Sequence, residues 1–485
     1  MLNSPAAGIF ARGFAVSNTP TAPPKGTALV AARAKAGVPL GTNSRLVAIE
    51  ILLRVEATDA YANLLLDARL HAASLSLLDR ALVTELVYGV LRWRGKLDWI
   101  LAPLLDRPLA RLDPVVHQLL RLGTYQLACL TRIPDFAAVD ETVSLARKIG
   151  AARSAGYVNA VLRAVARGKD RQPPDSLRDP LAYWGGVGSH PTWLAARWLD
   201  RLGSAEGGEL MTANNRVPPF TLAVNRLKAE GEEVGRLLAQ GGAEVTPGRF
   251  FPGIFTLRGA GSLTDFPGFG AGLFFPMDEA GALPVLALDP LPGQRVLDAC
   301  AGGGGKSALI AAAVGGTGEV VALDRSPRAL RRLTAAALRL GLATVRPTLY
   351  DARVAGEAWA GQFPRVLLDA PCSGLGTIRR RPEIKWRRRP SDLVQAAALQ
   401  RALLAGVARA VAGGGLLVYS TCSLEPEETD EVIGAFLDTH PDFALEAPGS
   451  ALRPFCDPRT EGILRAWPHR HDTDGFFVAR LRRTS

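Results

Sequence analysis

The sequence predicts a multi-domain chain with an all-α N-terminal domain, a small α+β connecting module and a C-terminal α/β domain on a doubly wound parallel sheet. Three observations carry this expectation. A length of 485 residues exceeds what one hydrophobic core organises, so two or three domains are the starting point. Apolar residues recur at helical spacing from Ser44 to about Arg167. From about Leu283 onward, strand-like apolar runs alternate with helical segments, as in a parallel sheet with crossover helices.

The elements follow in order. Residues 1–43 hold no Asp or Glu, four basic residues and many Ala, Pro and Gly. They read as a flexible tail, with an organelle transit segment as the alternative. In residues 44–168, Leu82, Leu86 and Val90 recur at spacing four beside Val83 and Val87, as one helix face requires. Asp113 caps a helix opened by Pro114, and Pro134-Asp135 precedes another that runs to about Ile149, where Gly150 can stop it. No polar cluster in this bundle suggests catalysis, so binding or scaffolding is expected of it. Residues 169–275 begin with the polar, proline-rich stretch up to Pro180, a linker. The run 220–225, a helix over 231–240 and short apolar runs near Val245 and Ile254 then form the α+β module. Residues 276–485 make the α/β domain, with strands at 295–298, 320–324, 365–369 and 416–420.

Composition bounds the function. Hydrophobic residues make up 48% and charged residues 21%, the mix of an ordinary globular protein. No apolar run reaches the ~18 residues of a membrane span. A net charge of +11 favours a polyanionic partner, nucleic acid before membrane. Cys129, Cys300, Cys372, Cys422 and Cys456 are scattered without CxxC spacing. That argues against disulfides and metal sites and for a reducing, cytoplasmic setting in which a cysteine acts as a thiol.

The segment 295–307 reads RVLDACAGGGGKS: a strand ending in Asp298, a glycine loop and a helix start. Glycines let backbone approach a ligand, and a helix N-terminus offers free N–H groups. Several nucleotide cofactors use this geometry. A phosphate-binding Walker loop fails, because Cys300 occupies the place of its first glycine. A dinucleotide fingerprint on Gly303, Gly305 and Ala308 stays open, and with it a dinucleotide-dependent oxidoreductase. S-adenosylmethionine (SAM) binding expects an acid at each successive strand end. Asp324 ends the second strand, where a carboxylate can accept both ribose hydroxyls; Asp351 follows the third, within reach of an adenine amino group.

Two cysteines fall just past strand ends, where such sheets place their ligands: Cys372 in DAPCSG after the fourth strand and Cys422 in YSTCS after the fifth. Small polar surroundings suit a reacting thiol better than a packing one. Between them lies RRRPEIKWRRRP, with Arg379, Arg380, Arg381, Lys385, Trp386, Arg387 and Arg388. Basic groups around an indole can bind phosphates and stack a base, so this segment is expected to contact RNA.

DAPCSGLGTIRRRPEIKW, YSTCSLEPEE and WPHRHDTDGFFVARL resemble the RsmB/Sun group of bacterial small-subunit (16S) rRNA cytosine-C5 methyltransferases. The stretches VYGVLRW and TYQLACLTRIPDFAAVDETV are similar to that group's N-terminal domain, itself like the antitermination factor NusB. SHPTWLAARW and ANNRVPPFTLAVNR resemble its connecting module. The resemblance covers all but residues 1–43. It implies a Rossmann-like class I SAM methyltransferase domain, SAM as cofactor, no metal, and RNA as partner, either small-subunit rRNA or an assembling small subunit. It implies no DNA or membrane partner and a monomer.

The resemblance also implies roles. Carbon 5 of cytosine is a poor nucleophile until a thiolate adds to carbon 6 and pushes electron density onto it. Cys422 is implied as that nucleophile, Cys372 as the group assisting product release, and Asp369 as the residue on the cytosine edge. Cys300, Ala301, Gly302, Gly303, Gly304, Gly305, Lys306, Asp324, Asp351 and Asp369 are implied to hold SAM. One departure stands out: the family loop Cys-Ala-Ala-Pro-Gly-Gly-Lys carries Gly302-Gly303 in place of Ala-Pro here, which predicts weaker SAM binding. It also leaves an alternative, an RNA-binding ribosome-assembly factor with weakened chemistry, against which the retained cysteines and acids count.

Overall fold

The computed structural model describes residues 43–72, 75–168, 172–259 and 263–484. The tail expectation for the segment up to residue 42 falls outside them. The first body is helical from Ser44 to Arg167. Asn43 and Asp113 cap its helices Ser44–Ala57 and Pro114–Cys129 by accepting the first free backbone N–H groups. The helices close on Leu52, Val87, Leu119 and Leu162, all buried. A charged network runs through this body. The buried Arg121 donates to Asp98 at 2.8 and 2.7 Å, and His117 meets Asp98 at 3.0 Å. These residues lie 19 and 23 positions from Asp98, so no sequence window shows them together.

A helix Thr192–Asn214, broken at Gly203 (φ 78°), leads into the connecting module. There β1 (Phe220–Val224), β2 (Glu244–Pro247), β3 (Ile254–Arg258) and β4 (Phe274–Pro276) form an antiparallel sheet in the order β2-β3-β1-β4. The helix Gly231–Gln240 covers one face through Val234 and Leu238.

The third body is built on β5 (Arg295–Asp298), β6 (Glu319–Asp324), β7 (Val345–Leu349), β8 (Phe363–Asp369), β9 (Val411–Thr421), β10 (Phe443–Leu445), β11 (Ile463–Ala466) and β12 (Phe476–Arg483). The order is β10-β12-β9-β8-β5-β6-β7, with β11 also on β12. Five strands, β5 to β9, are parallel as expected. β12 runs antiparallel to β9, and β10 and β11 pair antiparallel with β12, which makes the sheet mixed. Successive residues sort to opposite faces: Leu367 joins the layer of Leu283 and Ile310, and Leu368 the layer of Leu404 and Phe436. Strand order reverses at β5, so the crevice that such a reversal opens lies at the carboxyl ends of β5, β6 and β8.

Candidate active site

The strand ends converge on a cavity of about 330 Å³ lined by Cys300, Gly302, Asp324, Asp351, Asp369, Cys372 and Cys422, among others. The glycine loop leaves β5 and turns at Gly302 (φ 56°) and Gly304 (φ 87°) before the helix Gly305–Val314. Asp324, at the end of β6, accepts the Gly302 N–H at 3.0 Å and the Ser326 N–H at 2.7 Å. Asp351 lines the cavity from the far side, its carboxylate held by Arg353 at 2.6 Å and kept below the usual range by that contact. Ala301, Gly303, Gly304 and Gly305 shape the turn, while Lys306 is buried against Asp369 at 2.6 Å. Burial alone would lower the Lys306 ammonium, but the charge and hydrogen bond of Asp369, with the further negative groups around it, together raise its pKa.

Parallel pairing brings the two cysteines together. β8 and β9 run in register with Asp369 opposite Ser420, and Ser420 donates to Asp369 at 2.9 Å. Cys372 and Cys422 follow those strand ends, and their Sγ atoms stand 3.2 Å apart. The hydrogen bond to Cys422 and burial push the Cys372 thiol well up. Burial likewise raises the Cys300 thiol, leaving it inert.

The loops after both cysteines are tied by Glu428, the last residue of the YSTCSLEPEE stretch, to which the sequence reading assigned no role. Buried Glu428 accepts the Ser373 N–H at 2.7 Å and the Ser373 and Ser423 hydroxyls at 2.5 Å each. Gln400 adds a donor to the same carboxylate at 3.1 Å. The only sequence signal is the serine after each cysteine, followed by an acid five residues beyond the second serine. Gly376 packs against this seam, donating to the Cys422 carbonyl at 2.9 Å and accepting from Gly475 at 2.7 Å.

The basic segment divides in two. Arg379 is buried on Asp472, and Arg380 pairs with both Asp278 and Asp474. Lys385, wholly buried, donates to the Arg92 carbonyl and Asn215, and Trp386 donates to the Leu91 carbonyl at 2.8 Å. Arg387 donates to the carbonyls of Val55, Thr58 and Ala60 at the end of the first helix. For these five, protein carbonyls, Asn215 and carboxylates engage donors that the sequence reading assigned to RNA. Arg381 and Arg388 line the cavity instead. So does Tyr61, from the N-terminal body, which no motif marks.

Among the described residues no group of His, Cys, Asp or Glu could hold a metal, and no helix is long and apolar enough to cross a membrane.

Known proteins share both the sequence and the fold. Residues 285–482 match the family described as 16S rRNA methyltransferase RsmB/F, residues 42–167 the NusB family, and residues 190–264 the ferredoxin-like domain of RsmF/B-like methyltransferases. The chain is 40% identical to the probable ribosomal RNA small subunit methyltransferase B of Bacillus subtilis, over 91% of this chain and 99% of that protein. It is 36% identical to the ribosomal RNA small subunit methyltransferase B of Serratia proteamaculans, over 83% and 90% respectively. The crystal structure of PH0851 superposes with a TM-score of 0.78 at 30% identity, covering 91% of this chain and 99% of that one.

Proposed function

The chain belongs to the RsmB/F family of 16S rRNA methyltransferases, SAM-dependent enzymes, and from that premise we propose that it methylates carbon 5 of a cytosine in small-subunit rRNA through a covalent cysteine adduct. The observation that carries the reading is the pair of sulfurs, Cys372 and Cys422, 3.2 Å apart in a cavity that also holds Asp324, Asp351 and Asp369.

The residues present fit the cofactor. Open space stands where side chains at Gly302 and Gly303 would lie, so a ligand can approach the backbone there. One oxygen of the buried Asp298 carboxylate has no partner among the described residues. Asp324 would take the ribose hydroxyls and Asp351 the adenine, with Cys300, Ala301, Gly302, Gly303, Gly304, Gly305 and Lys306 forming the cradle. When bound, SAM supplies an electrophilic methyl group.

The chain's own residues do the rest. Cys422, as thiolate, forms a bond to carbon 6 of the cytosine. Asp369 holds the N3 edge and helps protonate it, and the electron pair displaced from the 5,6 double bond makes carbon 5 nucleophilic. Once carbon 5 carries its methyl, its proton leaves to a base at or beside Cys372. The carbon–sulfur bond breaks, the double bond is restored and Cys422 is freed. Arg381 and Arg388 at the cavity wall contact RNA phosphates.

The test is incubation of the protein with labelled SAM and small-subunit rRNA. Wild type is expected to yield 5-methylcytosine, Cys422→Ala none, and Cys372→Ala a protein–RNA adduct that addition forms and elimination cannot release. Wild type that binds RNA and transfers nothing would overturn the proposal and favour the assembly-factor alternative.

A further inference from the structure

Arg379, Arg380 and Arg381 are consecutive, yet among the described residues only the first two have carboxylate partners. Arg381 is exposed on the cavity wall and, among those same residues, its guanidinium makes no ion pair. It lies over the Tyr61 ring, 5.1 Å from the centroid. Tyr61 belongs to the N-terminal helical body, and its backbone is fixed from the catalytic body on both sides. Glu383 accepts the Ala62 N–H at 2.9 Å, and Arg387 donates to the Ala60 carbonyl at 2.8 Å.

A tyrosine that served only to join two bodies would bury its hydroxyl against a partner. Tyr125 and Tyr419 each bury theirs, on Glu85 and the Glu428 carbonyl. The Tyr61 hydroxyl has no partner among the described residues, and the half-buried ring lines the cavity that holds Cys372 and Cys422. A guanidinium stacked on an aromatic ring and free of carboxylates is an arrangement that takes a single-stranded nucleotide, base against the planar pair and phosphate on the guanidinium N–H groups.

We propose that Tyr61 and Arg381 form a nucleotide subsite at the mouth of the catalytic cavity, which stacks the base beside the target cytosine and holds its phosphate. This rests on the RNA methyltransferase reading above and deepens it. The N-terminal body thereby supplies one wall of the site and positions substrate there.

The experiment compares wild type, Tyr61→Ala, Tyr61→Phe and Arg381→Ala on a small-subunit rRNA transcript. Methyl transfer, RNA binding on filters, SAM binding by calorimetry and the thermal midpoint are all measured. Tyr61→Ala is expected to raise KM for RNA about tenfold, the effect of losing one base–aromatic stack. The kcat, the SAM Kd and the thermal midpoint should stay at wild-type values, Tyr61→Phe should remain within about twofold of wild type, and Arg381→Ala should raise KM and flatten its salt dependence. An unchanged KM in Tyr61→Ala overturns the subsite. So does a KM rise that comes with equal losses in SAM binding and thermal midpoint, because the tyrosine would then only join the two bodies. Wild type that binds the transcript without transferring methyl sinks the methyltransferase reading instead, while the RNA Kd of Tyr61→Ala still decides the subsite.

Discussion

Glu428 takes hold of Ser373 twice, accepting its backbone N–H at 2.7 Å and its hydroxyl at 2.5 Å. Because the same carboxylate accepts from Ser423, one buried side chain sets the spacing of the loops that carry Cys372 and Cys422. A glutamine there offers one acceptor oxygen where the carboxylate offers two, so either the two serine hydroxyls or the Ser373 N–H and Gln400 lose their charged acceptor. Loss of a hydrogen bond to a charged group costs about 1.5–3 kcal/mol. Glu428→Gln is therefore expected to lower kcat by roughly tenfold to a hundredfold, while SAM binding measured by calorimetry is unchanged. An unaltered kcat would mean that the clamp does not position the cysteines.

Gly376 tests the same seam by steric means. A Cβ at this position would stand 2.1 Å from the Gly475 carbonyl oxygen and 2.9 Å from that of Cys422. Backbone on both sides leaves nothing flexible to give way. Gly376→Ala is expected to cost about 1–3 kcal/mol of stability and to displace Cys422 enough to abolish methyl transfer. Thermal denaturation and single-turnover transfer are the measurements; wild-type values in both would show that the seam can open at little cost.

The split basic segment makes a contrast in salt dependence. Arg388 donates to the Ser373 carbonyl at 2.6 Å but lines the cavity, whereas Arg387 is committed to three helix-end carbonyls. Arg388→Ala should weaken RNA binding and reduce the slope of log K against log salt by about one unit. Arg387→Ala should leave the slope alone and instead lower the thermal midpoint and expose the junction near Thr58 to protease. Equal slopes for wild type and Arg388→Ala would remove Arg388 from the RNA contacts.

The division between what the sequence reveals and what it hides follows the range of the interactions. Asp113-Pro114 announces its helix because capping is local, and Asp324 and Asp369 announce themselves because an acid closing an apolar run marks a strand end. The pairing of Cys372 with Cys422 comes within reach once two parallel strands are seen to end beside each other. Arg387 reads two ways because a guanidinium donates equally well to a phosphate and to helix-end carbonyls, and those carbonyls lie more than 300 positions away. Tyr61 carries no local sign at all, since only the docking of the N-terminal body brings it to the cavity. The antiparallel edge is hidden for a related reason: β12 pairs with β9, and only that pairing sets its direction.

The four-glycine loop makes a prediction in two halves. A Cβ at Gly303 would stand in open space, and the φ of that residue is not in the left-handed region, so a side chain there meets no obstacle. Gly303→Pro should restrict the free loop and tighten SAM binding by roughly 0.4–1 kcal/mol. Gly302 differs, since φ 56° strains any residue with a Cβ. Gly302→Ala alone should cost about 1 kcal/mol of stability. Calorimetry and thermal melts check both halves; a Gly303→Pro protein that binds SAM no more tightly than wild type would show that loop freedom is not what limits affinity.

Asp298 gives the pH dependence. Burial raises its pKa to about 6, against the Ser307 hydroxyl and the Lys306 charge, which pull it down, and its other oxygen has no partner among the described residues. An unfolded aspartate titrates near ~3.9, so between about pH 4 and 6 the folded chain holds a proton that the unfolded chain has released. The resulting stability is fully present below about pH 4 and is lost as pH rises through about 6. The loss is roughly 3 kcal/mol, an upper figure for a buried carboxylate whose surroundings can relax. Asp298→Asn removes the ionisation while its oxygen can still accept from Ser307. It should melt higher than wild type at pH 7.5 and show a flatter stability curve between pH 4 and 6. The amide puts an N–H where the carboxylate has a free acceptor, so SAM binding should weaken in the same variant. Stability gained and cofactor affinity lost together would mark Asp298 as a charge the fold tolerates for its site. A variant whose melting point tracks that of wild type across the whole range would show that the carboxylate is solvated or neutralised in a way this geometry does not contain.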